Sequence, residues 1–104
     1  MNLPSLGAHK SELDTPILCI DCDVMEANMS KMVRSCHENG VAWRPHTKSH
    51  KSPEIAQQLL DAVAIGITCA KLGEAEVMAA GGIRDILIAN LIVGPHKMRR
   101  LVEL

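Results

Sequence analysis

The fold of this chain is decided by a stretch that reads Val41-Ala42-Trp43-Arg44-Pro45-His46-Thr47-Lys48-Ser49-His50-Lys51. It begins with apolar residues, and five of the eight residues from 44 to 51 are Arg, Lys or His. Ser52-Pro53-Glu54 follows, with a capping residue and then a proline suited to the first turn of a helix. The pattern predicts a strand over 41–48, a loop and a helix. In sheets built from such units, ligands bind at the carboxyl ends of strands, which here means at Lys48.

Alternation along the predicted strand places Arg44, His46 and Lys48 on one face, opposite Trp43 and Thr47. A buried cation is costly unless it is paired or neutral, so this face requires an explanation. One explanation is a ligand with negative charge. Another is a lysine kept neutral by desolvation and nearby like charge, which makes its amine a nucleophile towards carbonyl groups. A third is a solvated basic loop, and residue types alone leave all three open.

The segment before this stretch predicts a strand and a long helix. Residues 15–21 have the composition of a strand. Asp21 or Asp23 can cap a helix that runs to about Asn39, with Gly40 as its stop. Helical spacing gives that helix one apolar side, which we expect to pack into the core; it comprises Met25, Met29, Met32, Val33 and Cys36.

The segment after the stretch repeats the same unit of a strand and a helix. We predict strands over 65–70 and 85–90, a helix over 72–80 stopped by Gly81-Gly82, and a last helix from Pro95. The strand ends Lys48, Ala70 and Asn90 then open on one rim, because this rhythm is typical of parallel strands with right-handed crossovers. Three units cannot close a barrel of eight, which takes about 250 residues. We therefore expect an α/β fold that forms part of a (β/α)8 TIM-type barrel, with 1–13 as an amino-terminal extension and 14–104 as the amino-terminal part of a longer, incomplete barrel.

The run Arg44-Pro45-His46-Thr47-Lys48-Ser49-His50-Lys51 resembles the RPHxKxHK signature of the D-threonine aldolase and D-serine dehydratase family. The similarity continues in order along the chain, from Asp14-Thr15-Pro16 through Gly66-Ile67-Thr68-Cys69-Ala70-Lys71 to 82–95. Members of this family are pyridoxal-phosphate enzymes on a barrel of the alanine racemase type, known as fold type III. The resemblance thus implies a lyase of D-amino acid metabolism.

The resemblance also implies roles for individual residues. In the family, the lysine of RPHxK is bonded covalently to pyridoxal 5'-phosphate, a role that falls on Lys48 and not on Lys51. From their places on the predicted strand, Arg44 and His46 are expected beneath the cofactor as cofactor-binding groups, or alternatively as a buried polar cluster that only supports the strand. Asn90 ends a strand on the same rim and is expected to be a cofactor-binding group there. The family also uses a divalent metal, Mn, Mg or Zn, whose ligands are expected in a carboxyl-terminal part beyond this chain. No residue of this chain is expected to bind that metal.

The implied reaction is cleavage of a D-β-hydroxy-amino acid, foremost D-threonine to glycine and acetaldehyde. The alternative is a D-serine dehydratase, which yields pyruvate and ammonia. Two interpretations from other classes remain: a non-catalytic pyridoxal-phosphate-binding protein, and an anion-binding module that uses Arg44, Lys48 and Lys51 as plain charges. The full-length protein is expected to be a homodimer that takes a small D-amino acid.

The composition of the chain argues against several other classes of protein. A net charge of −1 and a single aromatic residue, Trp43, argue against a nucleic-acid surface. The longest strongly apolar stretch, 86–93, is too short to span a bilayer. Four cysteines occur without a recognisable secretory signal, so reduced thiols and a cytoplasmic location are expected. The motif Cys19-Ile20-Asp21-Cys22 would send its two thiols to opposite faces of a strand, so packing is favoured over a zinc or redox site.

Overall fold

Helices and strands alternate from the middle of the chain onward in the computed structural model, which describes residues 5–104. In chain order the elements are a 3-10 helix Lys10–Glu12, α1 Cys22–Glu38, α2 Pro53–Asp61, β1 Ile67–Cys69, α3 Leu72–Ala80, β2 Ile86–Ile88 and α4 Pro95–Glu103. The extension predicted over 1–13 begins with four residues that lie outside the described range. None of the helices in 5–104 is long and apolar enough to cross a bilayer.

The two strands are parallel, which confirms the α/β class. The register pairs Ile67 with Ile86 and runs to Cys69 with Ile88. On the other side of β1, His46 forms a single parallel bridge to Thr68. The helices α2 and α3 contribute to a small core against one face of this sheet, made of Ala56, Ile67, Cys69, Ala75, Met78 and Ile83.

The predicted helix boundaries are confirmed by their caps. Asp21 precedes α1 and its carboxylate accepts from the amide of Val24 at 3.1 Å. The hydroxyl of Ser52 accepts from the amide of Ile55 at 3.2 Å, with Pro53 as the first residue of α2. These side chains satisfy amides that have no partner within the first turn of a helix, which is why short polar residues predict helix starts well.

Of the four predicted strands, one is absent and three are shorter than predicted. Residues 15–21 form no strand, because no strand among the described residues lies beside them to complete a ladder. The strand predicted over 41–48 is reduced to the bridge at His46. Pro45 has no amide hydrogen to donate to β1, so the ladder is interrupted in the middle of this stretch. The strands predicted over 65–70 and 85–90 are present but shorter.

The helix α1 does not enter the core as the sequence predicted. None of its residues is buried; Met25 and Met29 are half-buried and Met32 is exposed. A cavity of about 850 Å³ lies between α1 and residues 41–43 and 62–63. The apolar side of α1 is therefore loosely covered within residues 5–104.

We expect residues 1–104 expressed alone to lack a cooperative unfolding transition. Large apolar side chains are exposed, with Leu18 at 99%, Leu91 at 85% and Val102 at 87%, and the sheet has open edges. Urea titration followed by circular dichroism and by the fluorescence of Trp43 should give broad, non-coincident curves, together with binding of a hydrophobic dye. A single sharp transition of a monomer would contradict this expectation.

Candidate active site

The carboxyl ends of the strands form one rim, and Asn90 joins two of them. Its side-chain Nδ2 donates to the carbonyl of Ala70 at 2.9 Å, and its Oδ1 accepts from the amide of Leu91 at 2.8 Å. Ala70 follows β1 directly and Asn90 lies two residues beyond β2. The amide of Asn90 thus holds the ends of β1 and β2 together at the predicted rim.

Lys48 lies at this rim because Thr47 anchors the chain before it. Thr47 is fully buried; its amide and its hydroxyl both donate to the carbonyl of Thr68, at 2.9 and 3.1 Å. Lys48 itself is exposed, and its amide donates to Nδ1 of His46 at 3.2 Å. Within residues 5–104 its amine forms no ion pair. The backbone anchored by Thr47 therefore presents the Lys48 amine at the rim, free of ion pairs within the described residues.

The second lysine of the motif is directed to a different partner. Nζ of Lys51 lies 3.8 Å from Oε1 of Glu74, a carboxylate that is only 8% exposed. The other oxygen of Glu74 accepts from the amide of Ala70 at 2.8 Å. No role was predicted for Glu74 from the sequence, although an acidic residue in the first turn of a predicted helix is a typical capping signal.

Arg44 is held near the opposite ends of the strands. Its Nη1 donates to Oδ1 of Asp85 at 2.7 Å and to the carbonyls of Ile67 and Asp85 at 3.3 and 3.4 Å. Asp85 directly precedes β2 and, at 63% side-chain exposure, was not recognised from the sequence as a partner. Ile67 is the first residue of β1 and Asp85 precedes β2, so Arg44 lies at the end of the sheet opposite the rim.

The two histidines of the motif differ in their surroundings. His46 is half-buried beside Thr68, below the rim, with its Nδ1 accepting from Lys48. In His50, Nδ1 accepts from the amide of Ser52 at 3.0 Å, and burial lowers the pKa of the imidazole. Its Nε2 is buried and has no hydrogen-bond partner within the described part of the chain. His50 is therefore held as a neutral ring with its proton on Nε2.

The surroundings of Lys48 fit a cofactor held by its amine. The bridge between His46 and Thr68 is followed by Thr47, and Lys48 lies in the turn that comes directly after it. An exposed amine that forms no ion pair within residues 5–104 is what covalent attachment of an aldehyde requires.

The remaining candidate ligands do not cluster. Within residues 5–104, no three of the His, Cys, Asp and Glu side chains lie close enough together to hold a metal ion. Cys19 and Cys22 are exposed free thiols, and Cys22 is the first residue of α1. Cys69 is buried, and burial raises the pKa of its thiol, which lies 3.5 Å from the hydroxyl of Thr47.

The chain is similar in sequence and structure to known enzymes along almost its whole length. It is 45% identical over 98 residues to a D-threonine aldolase of Arthrobacter sp, which covers 94% of this chain and 26% of that enzyme. The crystal structure of D-threonine aldolase from Filomicrobium marinum matches with a TM-score of 0.88 at 40% identity, covering 90% of this chain and 26% of that one. A metal-free form of D-threo-3-hydroxyaspartate dehydratase matches with a TM-score of 0.81 at 39% identity, covering 88% and 24%. No family model matches.

The relatives that the chain matches are aldolases and a dehydratase of D-hydroxy-amino acids, as their names state. The resemblance to the D-threonine aldolase and D-serine dehydratase-like family that the sequence predicted is confirmed by these matches. The chain spans about a quarter of the length of the curated relatives that it matches.

Proposed function

We propose that this chain is part of a pyridoxal-phosphate-dependent lyase that cleaves D-threonine to glycine and acetaldehyde. The observation that carries the proposal is the exposed amine of Lys48 at the rim, which forms no ion pair within residues 5–104. The 45% identity to a D-threonine aldolase supports the aldolase branch. Residues 14–104 would form one part of a (β/α)8 barrel whose other strands lie outside this chain. We call the protein with the complete barrel the intact enzyme.

Lys48 would hold the cofactor through a bond between Nζ and the aldehyde carbon of pyridoxal phosphate, formed with loss of water. When bound, the cofactor withdraws electrons from the α-carbon of an amino acid, so that a bond at that carbon can break. Asn90 keeps the ends of β1 and β2 in place at the rim and has one further N–H to offer a ligand. His46 supports the turn at Lys48 by accepting its amide. Arg44 would complete the same side of this segment, farther from the rim.

Dehydration is the second candidate function. It is favoured by the match to D-threo-3-hydroxyaspartate dehydratase at 40% identity over 92 residues. Loss of the α-proton and then of the β-hydroxyl would release ammonia and an oxo acid, with D-serine giving pyruvate. Nothing at Lys48 or Asn90 distinguishes cleavage of Cα–Cβ from loss of the hydroxyl, since both begin at the same carbon.

The proposed function is tested by the products that the intact enzyme forms with pyridoxal phosphate. With D-threonine we expect glycine and acetaldehyde in equal amounts, no turnover of L-threonine, and loss of activity on addition of a chelator. We expect this effect of the chelator because a structure of the related D-threo-3-hydroxyaspartate dehydratase is named as a metal-free form, which implies that the relative binds a metal. A metal can polarise the β-hydroxyl of the substrate as a Lewis acid.

Each product identifies one candidate function. Ammonia and 2-oxobutanoate in place of glycine would support the dehydratase and reject the aldolase. Turnover of L-threonine without D activity would reject both. A protein that develops no visible absorbance with pyridoxal phosphate would reject every enzyme candidate and favour the anion-binding module. Activity that is indifferent to chelators would reject the metal.

A further inference from the structure

The segment that carries Lys48 is joined to β1 by an irregular ladder. The amide of Ile65 donates to the carbonyl of Trp43, and the amide of Thr68 donates to that of Pro45. Between these two bonds the Lys48 segment advances by two residues and the β1 segment by three, which is the geometry of a β-bulge. Pro45 has no amide to donate at this point. Backbone pairing is therefore irregular on the amino-terminal side of Pro45, and the bonds between Thr47 and Thr68 hold the segment only beyond this point.

The side chain of Arg44 spans this irregular point. Its Nη1 bonds to Asp85 through both the carboxylate and the main-chain carbonyl, and it also reaches the carbonyl of Ile67 in β1. One guanidinium nitrogen thus connects the Lys48 segment to both strands of the sheet. Charge-assisted hydrogen bonds of this kind are stronger than neutral ones.

Gly66 provides the space through which this ion pair passes. A Cβ placed on Gly66 would lie 2.7 Å from both the carbonyl oxygen and Oδ1 of Asp85, and closer still to Nη1 of Arg44. Any side chain at residue 66 would displace the pair. The ion pair thus depends on both the bulge and Gly66, which distinguishes it from a pair of charges on an open surface.

We propose that Arg44 and Asp85 are positioning residues that hold the Lys48 segment in register across this bulge and so support the placement of Lys48 at the rim. In place of the cofactor contact that the sequence predicted for Arg44, both residues would act through the Lys48 segment, because both lie near the opposite ends of the strands. This inference rests on the proposed function of Lys48. It predicts that removing the ion pair weakens attachment of the cofactor, although neither residue would contact the cofactor.

The test uses the intact enzyme with Arg44→Met, Asp85→Asn and the double variant. Titration with pyridoxal phosphate, followed by visible absorbance, gives a dissociation constant for each. We expect each single variant to bind the cofactor about tenfold more weakly, which corresponds to about 1.4 kcal/mol. The double variant should bind no more weakly than either single one, because both changes remove the same interaction. Borohydride labelling of Lys48 should slow in parallel.

The matched control is the ion pair of Arg100 in α4 and Glu76 in α3, in which Nε of Arg100 donates to Oε1 of Glu76 at 2.7 Å. Glu76→Gln should leave the dissociation constant for pyridoxal phosphate unchanged. Arg44→Lys replaces Arg44→Met if that variant does not fold. Additive losses, an unchanged constant in Asp85→Asn, an equal loss in Glu76→Gln, or failure of all Arg44 and Asp85 variants to fold would overturn the positioning role. Absence of label on Lys48 in the wild type would instead reject the proposed function.

Discussion

Replacing Lys48 with alanine in the intact enzyme should abolish both the visible absorbance of bound pyridoxal phosphate and the turnover of D-threonine. Lys48 presents the one lysine amine of the motif that is at the rim and free of an ion pair within residues 5–104. Alanine cannot bond to the aldehyde, so we expect turnover to fall by at least about a thousandfold, as when a nucleophile is removed. Absorbance spectra and steady-state rates measure the two effects.

Lys51→Ala is the matched control for Lys48→Ala. Its amine lies 3.8 Å from Glu74 and is directed to the start of α3. Removing it should preserve the absorbance of the cofactor and reduce activity only in part, because the Lys51 side chain is exposed and its 3.8 Å contact with Glu74 lies away from the amine of Lys48. Borohydride reduction and peptide mapping should find the phosphopyridoxyl label on Lys48. A label on Lys51 or Lys71 would refute the assignment.

Gly66→Ala should destabilise the intact enzyme by about 3 kcal/mol, the upper range for overpacking a site whose neighbours cannot move. The added Cβ would meet the carbonyl oxygen of Asp85 at 2.7 Å, and this main-chain atom is fixed because it accepts from the amide of Ile67. Chemical denaturation of the cofactor-free enzyme measures the loss, and cofactor binding should weaken as the Arg44 side chain is displaced.

Gly73→Ala is the control for this substitution. Gly73 lies in α3, and a Cβ added there would meet no atom within 4 Å. Since alanine favours helix over glycine by about 0.5–1 kcal/mol, this variant should be as stable as the wild type or slightly more stable. Equal losses of stability at both glycines would show that the close approach at Gly66 has no special effect.

Local signals in the sequence were sufficient for the helices and for the rim. Capping by Asp21 and Ser52 involves residues within three positions, so the sequence contains the whole interaction. The positions of Ala70 and Asn90, just beyond β1 and β2, followed from the spacing of the repeated units. The position of Lys48 in the RPHxKxHK motif then indicated that this lysine would bond to the cofactor.

Other features depend on residues distant in sequence, and these were missed. Strand 15–21 was predicted from composition, but a strand also requires a neighbour, which is absent from the described residues. Pairing of Arg44 with Asp85 depends on a bulge at Gly66 that no local pattern specifies. The side of α1 that includes Met32 has the periodicity of a core helix, although periodicity does not tell whether a facing surface is present.

The contact between Arg44 and Asp85 has a consequence for the order in which the sheet assembles. The two residues are 41 positions apart, whereas Thr47 and Thr68, which share the bond beside Lys48, are 21 apart. Closing the longer loop directly would cost about 0.6 kcal/mol more in chain entropy. Once Thr47 has met Thr68 and Ile67 has met Asp85, however, Arg44 is already near its partner. We therefore expect the ion pair between Arg44 and Asp85 to form last. Among the first pairings of the Lys48 segment with the sheet, it should favour the one that brings Arg44 over Gly66.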